Sequence, residues 1–186
     1  ALHAGDNVLE ISMPYGRVTD VESCFLLGDF GVRVAGCSAV LTEGIQKLCF
    51  GDITRQGLPF YGGNLTWRLE ADLEPGMYEL QISQYRGSLI AVKVDGTDQG
   101  KIVFSPYTLR FAAAESRTYA IDVTLYGTRI NTFGQVHHTD KSTKWWGPDS
   151  WRSEGASWSY EYQLWPQGIL KSPELFRIEG ARQTSK

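Results

Sequence analysis

Short runs in which apolar and polar residues strictly alternate are the feature that most constrains this fold. Residues 64–70 place Leu65, Trp67 and Leu69 on one side, and residues 119–125 repeat the pattern. A period of two puts alternate side chains on opposite faces of a β-strand. No segment keeps a helical period over several turns. The alternation therefore predicts an all-β fold.

Turn residues separate these runs at regular intervals. Glu74-Pro75-Gly76 and Asp95-Gly96 are such separators, and an Asp-Gly pair readily adopts the positive φ angles of a tight hairpin. Residues 112–115 are predicted to form one helical turn at most. Many short strands with turns between them predict an antiparallel β-sandwich of jelly-roll type. The other predicted strands are residues 77–83, 89–95, 158–164 and 176–178.

The beginning of the chain resembles a faint copy of its end. Residues 7–13 match residues 119–125, and residues 32–36 match residues 176–180. Coincidence among generic strands is the alternative, and the early strands would then belong to the single domain. The chain lacks an initiator Met, so we expect it to be processed or excised from a longer one. We predict closing strands of a preceding β-sandwich unit, or an N-terminal extension, over 1–40, a jelly roll over 41–180 and a tail over 181–186.

Composition excludes several classes of protein. The chain has 186 residues, of which 42% are hydrophobic and 21% charged, as in an ordinary globular domain. Its net charge is −3 and it has no basic block, so a nucleic-acid partner is not expected. No apolar run is long enough to cross a bilayer, so a membrane partner is not expected either.

Three cysteines, Cys24, Cys37 and Cys49, lack the close spacing of metal ligands. We expect all three to be unpaired and mostly buried, as small apolar residues. Unpaired thiols argue against a secreted domain held together by disulfides. The sequence leaves the compartment open between the bacterial cytoplasm and export with a parent enzyme.

Several motifs resemble the galactose-binding-like, sugar-binding jelly rolls attached to family-two-type and rhamnosidase-like bacterial glycoside hydrolases. Residues 76–80, 91–96 and 158–170 resemble successive strands of that family, although Asp95 replaces the commoner Asn, and residues 50–64 resemble a linker into it. The resemblance covers roughly residues 45–180. It implies an accessory module that is not itself an enzyme, because the hydrolases' catalytic carboxylates lie on a separate (β/α)-barrel. The implied partners are a glycan or oligosaccharide and the neighbouring domains of the parent enzyme.

The long loop over residues 134–157 is the best candidate for a ligand site. Long loops on β-sandwiches are commonly functional, and sugar rings stack on aromatic side chains while polar neighbours hold their hydroxyls. The alternatives are that the loop's tryptophans cap the open end of the sandwich, or that they dock onto a catalytic domain. The ligand-binding residues predicted in this loop are Trp145, Trp146, Trp151, Arg152 and His137.

Tyr61 and Arg86 complete the predicted ligand-binding set. The turn over residues 61–64 and the pair Tyr85-Arg86 are expected to lie close together at one end of a sheet. The Gly62-Gly63 pair permits a tight backbone path there. A plain turn and a strand cap are the alternative interpretation.

Metal and catalytic chemistry receive little support from the sequence. His137 and His138 are adjacent and would point to opposite sides of an extended chain, so no cofactor is predicted, and a structural calcium is the one metal left open. Two pairs of carboxylates, Glu154 with Asp149 and Glu154 with Glu161, are candidates for the two acids that glycoside hydrolysis requires. We therefore predict a non-catalytic carbohydrate-binding or accessory module, the alternatives being a structural brace for a catalytic barrel and a small glycan-acting enzyme. The calcium candidates are Asp52, Asp72, Asp95 and Asp98.

Overall fold

Eleven strands are present in the part of the chain that the computed structural model describes, residues 3, 5–19, 24–142 and 147–178. A four-residue helix, α1 (Ile130–Phe133), and two 3₁₀ turns, Ile53–Arg55 and Pro148–Trp151, accompany them. The strands are β1 (Gly31–Ala35), β2 (Ser38–Thr42), β3 (Leu65–Leu73), β4 (Gly76–Gln81), β5 (Tyr85–Arg86), β6 (Leu89–Val94), β7 (Thr97–Ile102), β8 (Thr108–Ala113), β9 (Arg117–Tyr126), β10 (Gly168–Ile169) and β11 (Glu174–Ile178).

Two antiparallel sheets make up the body of the protein. The larger has the order β3-β9-β6-β7 and the smaller the order β11-β4-β8, while β1-β2 and β5-β10 form separate two-stranded sheets. Alternate side chains of both large sheets join in one buried cluster, as expected for two sheets packed face to face. The predicted antiparallel β-sandwich is thus confirmed. The most deeply buried members are Leu80, Ile82, Ile90, Val92, Val123 and Ile169.

The strongest alternations became strands. The runs predicted at residues 64–70, 77–83, 89–95, 119–125 and 176–178 correspond to β3, β4, β6, β9 and β11. Within β9 every second residue is buried, which is the direct result of the period-two pattern. These predictions are confirmed.

The strand predicted over residues 158–164 is wrong. Only Trp158 makes a bridge there, with His138. The backbone N–H groups of Ser159 and Gln163 donate to the adjacent residues His137 and Val136, at 2.9 and 2.5 Å, whereas that of Tyr162 donates to Gly36 at 3.0 Å. Because these bonds do not form a continuous ladder with one neighbouring strand, the aromatic segment belongs to no sheet.

Residues 112–115, for which the sequence allows one helical turn at most, contain no such turn, because Ala112 and Ala113 belong to β8 and pair with β4. One further expectation is wrong. The three cysteines are exposed rather than buried, since Cys24 and Cys37 lie in the N-terminal region outside the core and Cys49 lies on a surface segment. Small size alone did not bring these thiols into the interior.

Equivalent tyrosines close a turn in each sheet. The Tyr78 hydroxyl donates to the carbonyl of Glu74 at 3.0 Å and accepts from its N–H at 3.1 Å. Tyr119 makes the same pair of bonds with Glu115, at 3.2 and 3.1 Å. Each buried ring thus satisfies backbone groups that would otherwise lack partners at the edge of the core.

Replacing a buried and an exposed leucine by alanine tests which apolar side chains belong to the core. We expect Leu80→Ala, at a side chain only 1% exposed, to lower the free energy of unfolding by roughly 2–5 kcal/mol through lost burial and a residual cavity. The matched control is Leu27→Ala, at a side chain 89% exposed, which should change it little. Urea unfolding followed by tryptophan fluorescence measures both, and equal losses would contradict the assigned core.

The β6–β7 hairpin carries an ion pair whose contribution depends on pH. Asp95 adopts a left-handed φ of 48° at the turn, accepts a 2.6 Å bond from the Arg117 guanidinium and accepts a second from the Ala120 N–H. The Arg117 bond, with help from the Ala120 bond, holds the pKa of Asp95 below its ordinary value of 3.8. A carboxyl with a lowered pKa stabilises the fold above its unfolded-state pKa and loses that effect as pH falls through the folded-state pKa.

Asp95→Asn should therefore destabilise the protein at neutral pH and have a vanishing effect in acid. Asn keeps the turn conformation and the acceptor for Ala120, so the substitution removes the charge alone. Denaturation measured from pH 7 downwards should show the difference from the parent shrinking below about pH 4. In an Arg117→Gln background the pH dependence should become much smaller, leaving the part that the Ala120 bond causes, and an undiminished dependence there would show that another group causes it.

Candidate functional site

A pair of hydrogen bonds fixes the long excursion that follows β9. Asn131, which is 2% exposed, donates from Nδ2 to the Trp165 carbonyl at 2.7 Å and accepts from the Trp165 N–H at 3.0 Å. Thr132 ties the same end to the Phe60 carbonyl at 2.7 Å. Both ends of the excursion are thus held to each other and to the body of the sandwich. The loop is a positioned surface rather than a free tail.

Aromatic rings form a layer inside this loop. The His137 ring lies 4.7 Å from Tyr162 and 6.1 Å from Trp158, measured between centroids, and Trp158 meets Tyr160 edge-on at 4.2 Å. The Nδ1 atom of His137 lies 3.0 Å from the Ser159 carbonyl. His137 is therefore engaged within the layer, and it holds the aromatic rings in place rather than presenting a free imidazole.

A shallow cleft of about 300 Å³ opens beside this layer. The indole of Trp158 supplies its apolar wall, while Arg152 and Glu154 supply a guanidinium and a carboxylate on its exposed rim. Such a wall can carry the C–H face of a ring, and the charged groups can bond hydroxyls. The other lining residues are His138, Ser150, Gly155, Ala156 and Ser157.

Trp151 is the predicted stacking residue that the structure describes. It ends the 3₁₀ turn Pro148–Trp151, directly before Arg152, and its side chain is 54% exposed. The Ser150 N–H donates to Gly147 at 2.9 Å, which closes this turn. Trp145 and Trp146 lie outside the described residues. Arg152 lines the cleft, whereas Trp151 is exposed directly before it in the sequence and is not one of the lining residues.

Tyr61 and Arg86 lie in different places from the loop and from each other. The Tyr61 hydroxyl donates to the Asn64 carbonyl at 3.1 Å, and the residue lines a cavity of about 780 Å³ between residues 44–48 and β3. Arg86, in β5, lines a separate cleft of about 310 Å³ with Tyr85 and Tyr107. The structure therefore does not bring these two predicted site residues together in one cavity.

Sequence reasoning missed two contributors to the loop surface. Trp158 was assigned to a strand because it begins an alternating aromatic run, yet it forms the wall of the cleft. Lys141 was not singled out, but its Nζ donates to the Gln163 carbonyl at 2.6 Å and lies 4.6 Å from the Trp165 ring centroid. Partial burial lowers the pKa of Lys141. No local sequence signal marks a lysine that meets residues more than twenty positions away.

The candidate calcium ligands are each used by neighbouring protein groups. Asp52 accepts from Thr54 and Gln167, Asp98 accepts from the Gly100 N–H, and Asp95 pairs with Arg117. Asp72 accepts from the Thr118 hydroxyl across the sheet. Within the described ranges, no three His, Cys, Asp or Glu side chains form a group that could hold a metal ion. These carboxylates serve local structure in the conformation observed.

Comparison with known proteins gives a limited result. No family model and no curated protein matches the sequence. A rhamnosidase structure from Novosphingobium sp. PP1Y is 16% identical, with a TM-score of 0.45 over 78% of this chain and 14% of that one. A GH2 beta-galacturonidase from Eisenbergiella tayi bound to glycerol is 15% identical, with a TM-score of 0.44 over 81% of this chain and 23% of that one. The chain thus spans less than a quarter of either protein. Among the described residues, no helix has the length and hydropathy needed to cross a membrane.

Breaking the Asn131 clamp should loosen the loop without unfolding the sandwich. Asn131→Ala leaves the buried N–H and carbonyl of Trp165 without these partners, which should cost about 1–3 kcal/mol locally. Hydrogen exchange should speed up in residues 134–167 and remain unchanged in β9. Asn64→Ala, at an exposed asparagine, is the matched control and should leave both rates as they are. Unchanged exchange in the loop of Asn131→Ala would show that the clamp does not hold it.

Proposed function

We propose that this chain is a non-catalytic accessory module of a larger glycan-acting protein, and that its long loop contacts carbohydrate. The sequence resemblance to sugar-binding jelly rolls of glycoside hydrolases supports this proposal. So does the arrangement of the site, which lies on a connecting loop at the surface of a rigid antiparallel sandwich. Binding residues commonly occupy such loops because the scaffold positions them.

The observation that carries the proposal is the pairing of an exposed indole with charged rim groups. Trp151 offers an apolar face, Arg152 follows it directly in sequence, and Glu154 lines the same cleft as Arg152. Tyr160, which is 77% exposed, adds a second accessible ring close to Trp158. Flat apolar faces beside hydroxyl-binding groups are the combination that a pyranose ring requires.

Affinity at such a site should be low. The cleft is shallow and encloses only about 300 Å³, so one or two sugar rings would bury little surface. A dissociation constant near 1 mM, about −4 kcal/mol, is reasonable for contacts of this size. Weak single-site binding suits a module that works beside other domains, because linkage raises the effective concentration of its ligand.

The disposition of acids supports a non-catalytic role. Glycoside hydrolysis needs two carboxyl groups on either side of one bond, roughly 5–9.5 Å apart. Of the described residues lining the cleft, Glu154 alone carries a carboxylate. Glu161 does not line it and lies near Gly36, whose carbonyl accepts from the Tyr162 N–H at 3.0 Å. We therefore infer that binding or positioning of glycan, rather than its cleavage, is the role of this chain.

A structural brace is the second candidate, and the aromatic layer favours it. His137, Trp158 and Tyr162 pack on one another, and Phe60 lies 5.3 Å from Tyr162. Rings used in this way cap the end of the sandwich. The brace predicts a folded chain whose loop does not respond to sugars.

Titration with oligosaccharides tests the proposal directly. Pectic, galactan and rhamnose-containing oligosaccharides are added to ¹⁵N-labelled protein, and the indole N–H signals are followed by NMR. We expect a saturable shift of Trp151 with at least one of them. Trp151→Ala and Arg152→Ala should each weaken binding about tenfold, a loss of about 1.4 kcal/mol.

Phe104→Ala is the matched control for these variants. Phe104 is an exposed aromatic residue, 83% accessible, that does not line the cleft, so its loss should leave the titration unchanged. If no sugar of the three classes gives a saturable response while the spectrum stays that of a folded protein, the carbohydrate-binding proposal fails and the brace is favoured.

A further inference from the structure

The N-terminal arm, which we define as residues 5–19, exposes an unusual amount of apolar surface. Val8 is 95% exposed, Tyr15 81% and Val18 97%. Globular chains rarely leave several large apolar side chains in sequence open to water unless another surface covers them. Leu9, Ile11 and Met13 are exposed as well, at 79%, 53% and 53%.

The backbone of the arm also lacks sheet partners. No described residue of the arm belongs to a strand, and the Thr19 N–H donates locally to the Gly16 carbonyl at 3.0 Å. Asn7 makes short-range bonds with His3 and Gly5. A segment that belongs to no sheet among the described residues can still pair through its backbone with strands on either side.

The arm carries the sequence of an interior strand. Residues 7–13 match residues 119–125 position by position in their alternation, so that Ile11 corresponds to Val123 and Ser12 to Thr124. Both segments are followed within three residues by Tyr-Gly. In the present fold Val123 is completely buried. The sequence pattern that forms β9 in the sandwich is thus present a second time in the arm, where no described strand pairs with it.

The matching strand, β9, shows what such a segment requires. Residues 121–125 of β9 pair with β3 on one side and with β6 on the other. Their alternate side chains enter the core between the two sheets. A strand of this kind is stable only when both edges and one face are covered at the same time.

We propose that residues 7–13 form an interior strand of a second β-sandwich unit belonging to the same parent polypeptide. Leu9, Ile11 and Met13 would enter the core of that unit, as Ile121, Val123 and Leu125 enter the present one. The partner is therefore two antiparallel strands with free edges over an apolar sheet face. This inference does not depend on carbohydrate binding by the loop.

Other surfaces on the N-terminal side of β3 are also incompletely packed. A cavity of about 780 Å³ separates residues 44–48 from β3 and has Phe30, Ile45 and Leu48 in its walls. The indole Nε1 of Trp67, another residue of that cavity, is buried and has no hydrogen-bond partner among the described residues. Every residue of β2 is exposed, as are Leu26 and Leu27. Exposed apolar side chains thus occur in β2 and at residues 26–27 as well as in the arm.

Hydrogen exchange of the arm tests the proposal. The amides of residues 8–13 are measured by mass spectrometry in this 186-residue chain and in the complete product of its gene. We expect fast exchange in the former and about 100-fold slower exchange or more in the latter, as for a strand paired on both edges. Fast exchange in both proteins would overturn the proposal, and so would a gene product that holds no other β-unit.

Two variants of the arm distinguish its faces. Ile11→Asp places a charge on the face expected to be buried and should abolish the protection in the complete gene product. Ser12→Asp is the matched control on the opposite face and should leave the protection in place. In the 186-residue chain neither variant should alter the melting temperature, because both positions are exposed there. Equal loss of protection in both variants would contradict the assigned face.

Light scattering separates this proposal from self-association. If the 186-residue chain forms a dimer and the arm is protected only in that dimer, the occupant is a second copy and the proposal of a second unit in the parent chain is wrong. A monomeric chain with a fast-exchanging arm agrees with it.

Discussion

Pairing of β9 on both edges is the constraint on which the rest of this structure depends. Its register with β3 runs from Leu73↔Arg117 to Leu65↔Leu125, and its register with β6 covers residues 121–126. Because every second side chain of β9 is buried, a slip by one residue would expose that whole set. Polar links fix the same register, among them the Arg68–Asp122 bond at 3.0 Å. The loop that carries the candidate site begins directly after this strand, so the fixed position of β9 also fixes where the loop begins.

Sequence reasoning predicted those parts of the fold whose side chains alternate strongly. It missed β7 because Thr97, Asp98 and Gln99 lie at a solvent-facing edge, where one apolar face is not needed. It missed β8 as a strand because alanines carry little signal of either period, although Ala113 is 4% exposed. The aromatic run over residues 158–164 caused the opposite error, because its alternation predicted a strand that is not formed. Alternation reports which side chains share a face, but it does not report whether a neighbouring strand is available to receive the backbone hydrogen bonds.

The candidate site was predictable as a region but not as a geometry. Aromatic richness and length identified the loop, in which Trp151 is exposed and Arg152 lines the cleft. The role of His137 could not be read from sequence, because it depends on contact with Ser159 and Tyr162, which are more than twenty residues away. The same holds for the Asn131–Trp165 clamp, which joins residues 34 positions apart. Contacts between such distant residues depend on the path of the chain, and local sequence patterns do not reveal them.

The loop and the N-terminal arm both expose apolar side chains, and the hydrogen bonding of their backbones distinguishes them. In the loop, residues 137–139 and 157–159 exchange backbone hydrogen bonds at 2.9 Å, so the exposed rings stand on a frame that is already satisfied. Such a surface can bind a small rigid ligand without changing its own conformation, which limits the entropic cost of binding. In the N-terminal arm the apolar side chains are exposed and no described residue belongs to a strand, so a small ligand would cover the side chains and leave the backbone without a sheet partner. Only another β-sheet satisfies both at once, which is why the same kind of residue indicates a ligand at one end of the chain and a strand partner at the other.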